Sequence, residues 1–478
     1  MQFYTVIGLE VHSQLLTRTK MFCGCAAIYG AAVNSRACPV CLGLPGALPT
    51  PNRAAVEMAV KMGLAVGSTI ARKTKFDRKN YFYADLPKGY QISQYDMPLC
   101  AGGSIAIRGQ FGEKRIGIIR IHLEEDAGKS IHTDIEGTLV DLNRCGVPLV
   151  EIVSAPDIAS PQEAYAYLQE IRRLVRWLGI CDGNLEEGSL RCDANVSVAR
   201  VGDEPGIPVE IKNLNSFHGV EKALQYEIER QRTALECGET SERRTLLWDA
   251  DRQETRLMRS KESAQDYRYF PDPDLVELEI TDVLLRQTTD ALPELPWTRM
   301  QRYLELGVKS DDAEVLVAEK DIADYFEAVL KDLPADVPRA ARWVVGEALR
   351  WRKELGGGER FVAPAQATID LARLEAEGRI STLAAKSIYE EMARTGRSDP
   401  EAIMREKGLE QVKDTEALQK VIYSVIARSQ QELNRYLGGE AKLKGYFIGQ
   451  IMKETRGKAD PVVSGKLFDE IIAEMKTD

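Results

Sequence analysis

The spacing of apolar positions divides this chain into two kinds of sequence. Up to about residue 290, short runs of alternating polarity sit between glycine turns, joined by a few stretches of helical period. Ser160-Pro161-Gln162-Glu163 is a capping box, and behind it Ala164, Leu168, Ile171, Val175 and Leu178 recur at helical spacing until Gly179. Thr50-Pro51 offers N-cap and N1 chemistry for an earlier helix that Gly67 closes. A third helix begins near Ser216 and carries Val220, Leu224, Ile228 and Leu235. Ile116–Leu123, Leu139–Leu142, Leu149–Val153, Leu190–Val198 and Val209–Ile211 read as strands. The expected fold class is α+β with a largely antiparallel sheet.

Pro271-Asp272-Pro273 and Leu292-Pro293-Glu294-Leu295-Pro296 punctuate the end of this region. Helix then follows helix, rich in Ala, Leu, Glu and Arg, with breaks at Gly356-Gly357-Gly358 and Thr395-Gly396-Arg397-Ser398-Asp399-Pro400. The expected domains are 1–293, then an all-α domain over 294–404, then a small helical tail over 405–478.

Bulk properties narrow the class. The 478 residues are 44% apolar and 28% charged, as in a soluble globular protein. A net charge of −10 excludes nucleic-acid binding over the whole surface but leaves room for a local basic patch. No stretch approaches membrane-spanning length. Met1-Gln2-Phe3-Tyr4 runs into a strand without targeting features, and nine cysteines make no disulfide scaffold, so a cytoplasmic, bacterial protein is expected.

One position breaks the pattern. Glu151 lies in the apolar run Pro148-Leu149-Val150-Glu151-Ile152-Val153, where a lone carboxylate is costly unless a cation or donor meets it. Glu10 and His12 share one face of an N-terminal strand, and His122-Leu123-Glu124-Glu125-Asp126 ends another. Three strands could gather Glu10, His12, Glu125 and Glu151 into a hard-ligand set for Mg²⁺ or Mn²⁺. Solvated charges with a hydrogen-bonded histidine would give the same spacing. Arg191, Asp193, Asn195 and Ser197 share a further strand face, and Glu210 and Lys212 repeat the pattern. These suit either a substrate cleft or a wet sheet surface. Ala127-Gly128-Lys129-Ser130 imitates a phosphate-binding loop, but Leu123 stands where that motif needs glycine.

Cys23-Gly24-Cys25 and Cys38-Pro39-Val40-Cys41 suit a structural Zn²⁺ better than four unconnected thiols. Lys79, Tyr81 and Lys88 belong to a stretch that interleaves bases with aromatics, able to stack a nucleic-acid end or to form a solvated strand and turn. Lys442, Lys444, Lys453, Arg456 and Lys458 make the tail locally basic, as a phosphate contact or an ordinary helix surface would be.

Ile7–His12, Asp85–Gln94, His122–Lys129, Asp141–Ile152, Arg191–Val198, Asp266–Leu275 and Leu443–Lys453 together resemble the B subunits of the glutamine-dependent aspartyl/glutamyl-tRNA amidotransferases, from end to end. The resemblance implies a cradle-like catalytic domain related to glutamine synthetase, followed by helical and tail domains that grip tRNA. It implies a carbon–nitrogen ligase. ATP would phosphorylate the side-chain carboxylate of glutamate on misacylated tRNA(Gln), or of aspartate on misacylated tRNA(Asn), and ammonia would displace the phosphate. Mg²⁺ would be held by Glu10, His12, Glu125 and Glu151, with Glu124, Arg191, Asp193 and Glu210 as further catalytic candidates. Substrate contacts would fall to Lys79, Tyr81, Lys88, Lys444, Lys453 and Arg456. Because the chain has no Gly/Ser-rich amidase motif, ammonia would come from a separate amidase (glutaminase) subunit. A small third subunit and the cognate aminoacyl-tRNA synthetase are the other expected protein partners. Two rival readings are a tRNA-binding module without catalysis and a ligase acting on a small molecule.

Overall fold

A computed structural model of the chain describes residues 2–132, 137–239, 242–260, 267–333, 336–355, 360–411, 415–455, 459 and 461–477. Arg456, Lys458, Asp266 and the Gly356-Gly357-Gly358 break lie outside the described residues. Contacts divide the chain into two units, Met1–Leu295 and Pro296–Asp478. The first mixes a large sheet with helices; the described part of the second is helical.

Ten strands form the main sheet of the first unit. Phe3–Gln14 lies inside it, antiparallel to Pro148–Ser154 on one side and to Leu190–Arg200 on the other. Beyond Pro148–Ser154 comes Gly112–Glu125; beyond Leu190–Arg200 comes Val209–Leu214. Among the described residues, the one parallel pair joins Val209–Leu214 to Arg244–Asp249. Helix Phe217–Glu236 provides the crossover that parallel pairing requires.

Ile7, Leu9 and Val11 are fully buried, as are Val150, Ile152, Ala194 and Val196 on the neighbouring strands. Helices Arg53–Ala65 and Phe217–Glu236 pack on these strands, and Pro161–Trp177 packs on Phe217–Glu236. The helix cap forms where expected, Ser160 Oγ accepting from Glu163 N at 3.2 Å. Glu163 Oε2 reaches back to accept from Ala159 N at 2.8 Å, one residue before the amide a reciprocal box would use. The Thr50-Pro51 expectation is corrected. Asn52 is the N-cap, its Oδ1 accepting from Ala54 N at 2.9 Å while its Nδ2 donates to Thr19 and Lys20. Thr50 and Asn52 instead use their amides to bind the carbonyls of Phe22 and Met21, which keeps the chain extended there.

In the second unit one buried cluster gathers Trp343, Trp351, Ile388, Tyr389 and Met404, and another gathers Ile422, Phe447, Ile451, Phe468 and Ile471. Helix Thr382–Thr395 ends on left-handed Gly396, and Asp399 caps the next helix through Ala402 N at 2.9 Å, so the expected break is real.

Candidate active site: an acid–histidine nest and a four-cysteine knuckle

Register decides which side chains meet. His12 lies opposite Glu151 on one neighbouring strand and Arg191 on the other, and Glu151 lies opposite His122. Side chains two positions along a strand return to the same face. Glu10, Glu124 and Asp193 therefore join this face, and Asn195 and Glu210 extend it.

Glu151 meets two imidazoles. Its Oε2 lies 3.3 Å from His12 Nε2 and 3.3 Å from His122 Nε2. Glu124 closes the group from the other side, at 3.5 Å from His12 Nε2 and 3.8 Å from His122 Nε2. One ligand atom from each of His12, Glu124 and Glu151 lies within 4.8 Å of the others. Ser93 Oγ donates to Glu124 Oε2 at 3.3 Å.

Burial opposes charge here, and the ion pairs outweigh it. Burial works against the proton of His122, but Glu151 and Glu124 hold it, and its pKa is pushed up to about 9. His12 is raised against the same penalty, chiefly by Glu151. Burial alone would raise Glu151; His122 and His12 hold it well below the usual carboxylate range. Glu124 is lowered in the same way, chiefly by His122. Glu10 goes the other way, raised by burial and then by the Glu151 charge, while Asn195 Nδ2 donates to it at 3.0 Å.

Aromatic rings wall this face. Tyr81 meets Tyr267 and Tyr267 meets Tyr269 at 6.0 Å between centroids, and Tyr269 stacks on Tyr95 at 4.2 Å. The Lys79 ammonium sits 5.0 Å from the Tyr267 ring centre. Burial disfavours its charge, yet Glu124 and Glu151 raise its proton affinity. Along the face, Lys212 Nζ joins Asp193 at 2.5 Å to Glu210 at 2.9 Å. Arg191 Nη2 binds Asp126 Oδ1 at 2.8 Å, and Gln14 Nε2 binds its other oxygen at 2.9 Å. A cavity of about 870 Å³ opens beside Gln14, Arg144 and Arg191.

Glu125 is not in the nest, which corrects the expected ligand set. It follows Glu124 on one strand and so points to the opposite face. There it pairs with the buried Lys88 ammonium and accepts from Ile92 N at 3.0 Å. Lys88 is likewise turned inward rather than toward a substrate-facing surface.

On that inner side the four expected cysteines converge. Cys41 Sγ lies 3.4 Å from Cys23, 3.6 Å from Cys38 and 3.9 Å from Cys25. Tetrahedral zinc with Zn–S bonds of about 2.3 Å places its sulfurs about 3.8 Å apart, so the residues fit such an ion. Four thiols could hold a metal such as zinc here.

Residues 5–286 match the GatB/GatE catalytic domain, and 324–472 match the GatB domain. The chain belongs to this family. It is 49% identical over 473 residues to the aspartyl/glutamyl-tRNA(Asn/Gln) amidotransferase B subunit of Chlorobium phaeobacteroides, covering 98% of this chain and 99% of that one. The B subunit of Thermodesulfovibrio yellowstonii is 49% identical, covering 99% and 100%. That of Chlorobium luteolum is 51% identical, covering 98% and 99%.

Within this GatB-family chain the structure gives places at the site to His122, Asp126, Lys212, Tyr267 and Tyr269, which lie in segments singled out from sequence but outside the expected ligand and catalytic sets. His122 carried a signal: His122-Leu123-Glu124 has the same two-residue period as Glu10-Val11-His12. The tyrosines lie in the Asp266–Leu275 segment that carries the family resemblance, but only tertiary folding brings them beside Tyr81. In the second unit, Lys444 pairs with Asp469 at 2.6 Å, and Lys453 is exposed on helix Leu443–Glu454.

Proposed function

We propose that the chain is the transamidase component of a tRNA-dependent amidotransferase. It converts Glu-tRNA(Gln), Asp-tRNA(Asn) or both to the amidated forms, using ATP and ammonia released from glutamine by a partner amidase. A buried nest of two carboxylates between two imidazoles, beside a tyrosine wall, carries this reading. The names of relatives at about half identity support it.

A free carboxylate is a poor electrophile, so converting it to an acyl phosphate supplies the leaving group that ammonia displaces. His12, Glu124 and Glu151, with Glu10 behind them, form the mixed nitrogen and oxygen donor set that would hold Mg²⁺ or Mn²⁺. When bound, that cation neutralises charge on phosphate and carboxylate as they approach. Lys79, inside the tyrosine wall, is a fixed positive charge for the anionic groups of the substrates. Arg191, held by Asp126 at the cavity mouth, is poised to donate to a phosphate or carboxylate. The Asp193 and Glu210 carboxylates, gathered by Lys212, offer acceptors that can hand ammonia along the polar face.

The first unit is then a glutamine-synthetase-like cradle. The two buried clusters of the second unit support its division near residue 405 into a helical domain and a tail that contacts tRNA through Lys444, Lys453 and Arg456. The four cysteines bind structural zinc. The amidase, the small third subunit, misacylated tRNA and the cognate synthetase are the partners, and the cytoplasm is the compartment.

The test is direct. The purified complex, with its glutaminase centre inactivated, is incubated with Glu-tRNA(Gln), ATP, Mg²⁺ and ammonium. Gln-tRNA is the expected product. Its absence from a folded complex overturns the proposal and leaves a binding module.

A further inference from the structure

Lys20 is a fully buried lysine that the chemistry above does not use. Its ammonium donates to Cys41 Sγ at 3.5 Å, to Arg36 O at 2.6 Å and to Leu142 O at 3.3 Å. Its own amide binds Cys25 O at 2.9 Å, which closes the first cysteine turn. A burial this complete needs a strong electrostatic reason, because an ammonium out of water is costly unless an opposite charge meets it. Two neutral carbonyls do not provide that charge. Four thiolates around one divalent cation do, since together they carry a net charge of about −2. A second buried ammonium lining this region, that of Lys88, is already matched by Glu125.

The third bond of Lys20 leads out of the knuckle. Leu142 belongs to the Asp141–Gly146 loop, which the cysteine segment grips at several further points. Cys145 Sγ donates to Cys41 O at 3.4 Å, Met21 N to Gly146 O at 2.7 Å, and Arg36 N to Asn143 Oδ1 at 2.8 Å. The loop carries Arg144, whose guanidinium holds the carbonyls of Ala127 and Gly128 and lies 3.6 Å from Asp126. A chain of direct contacts thus runs from the sulfurs to the carboxylate that seats Arg191.

We propose that Lys20 is the internal counter-ion of a tetrathiolate metal centre, and that its bond to Leu142 ties occupancy of that centre to the placement of the Asp141–Gly146 loop. Lys20 is a positioning residue in this role, and the inference rests on the zinc reading given above.

Full-length zinc-loaded protein is titrated with a chromogenic chelator of known zinc affinity. Amide exchange across 141–147 is followed by mass spectrometry with and without the chelator. Lys20→Gln is expected to weaken zinc binding about tenfold or more, as loss of an outer-shell partner does. Lys20→Arg, which keeps the charge and donors, should stay within about threefold of the native chain. Zinc removal from the native chain should speed exchange across 141–147 about tenfold, with little change at 164–175.

Equal affinity of Lys20→Gln and native protein overturns the counter-ion role while leaving zinc binding intact. A native chain that takes up no zinc overturns both. Should Lys20→Gln not fold, the native chain alone decides: equal exchange across 141–147 with and without zinc overturns the proposal.

Discussion

The acid–histidine nest recruits its members from three strands spread between His12 and Glu151, whereas the four cysteines lie within one segment, Cys23 to Cys41. The nest sits on a sheet whose register would exist without it. The knuckle sits in turns with little regular structure between the pairs. Charge differs as well. Two imidazoles whose protons the carboxylates favour can offset charge within the nest itself. Four thiolates with one ammonium cannot. A cluster built on a sheet can therefore rest on pre-existing secondary structure, while a knuckle built in turns must supply its own reason to fold.

The sharpest way to break this comparison is Glu124→Gln. Ammonium-dependent amidation by the assembled complex should fall about 1000-fold, about 4 kcal/mol of transition-state stabilisation. A rate within tenfold of native would remove the nest from the chemistry. The adjacent change should act on stability instead. Glu125→Gln leaves the Lys88 ammonium buried without its counter-charge and should cost about 3 kcal/mol in denaturant unfolding. Lost activity with unchanged stability would return Glu125 to a functional role.

The third prediction concerns the knuckle. At free zinc a hundredfold above the dissociation constant, Cys41→Ser should lower stability by about 2.7 kcal/mol, the binding free energy no longer coupled to folding. Zinc-independent stability in the native chain would make the cysteines incidental. The smallest effect tests whether the nest stands alone. The His122 pKa is raised in the folded state to about 9. Its contribution is therefore full below the unfolded value of about 6.5 and fades as pH rises through 9. Metal-free protein should lose about 2 kcal/mol between pH 7 and pH 9, and His122→Gln should lack that loss. Parallel pH profiles for the two proteins would mean that the carboxylates do not hold that proton.

The same contrast explains what could be read from sequence. The cysteine pairs were legible because their geometry is local: both pairs and the loop between them lie in one short segment. The Pro161–Trp177 helix was legible because its cap and apolar stripe are written in consecutive turns. Glu151 was legible as an anomaly, and His12 as its neighbour. What alternation could not settle was the choice between Glu124 and Glu125. Both end the same acidic run, and only the pairing of Leu149 with Glu124 and of Pro148 with Glu125 assigns their faces. Lys20 and Asn52 escape a sequence reading for a related reason. Each satisfies partners in segments that propensity treats separately, so neither its burial nor its capping role appears in a single window of sequence.

The strand Gly112–Glu125 is, in this light, a partition whose two sides are stocked in alternation. Glu124 serves the compartment of the imidazoles and Glu125 that of Lys88 and the thiols. Such a wall tolerates no change of phase. Adding or deleting one residue between Ile118 and Ile121 would exchange the contents of the two compartments, turning His122 and Glu124 away from His12 and Glu151 and bringing Leu123 to that face. Length in this segment is thus constrained more tightly than composition. Attempts to engineer the site should keep the count of residues fixed before choosing their identity.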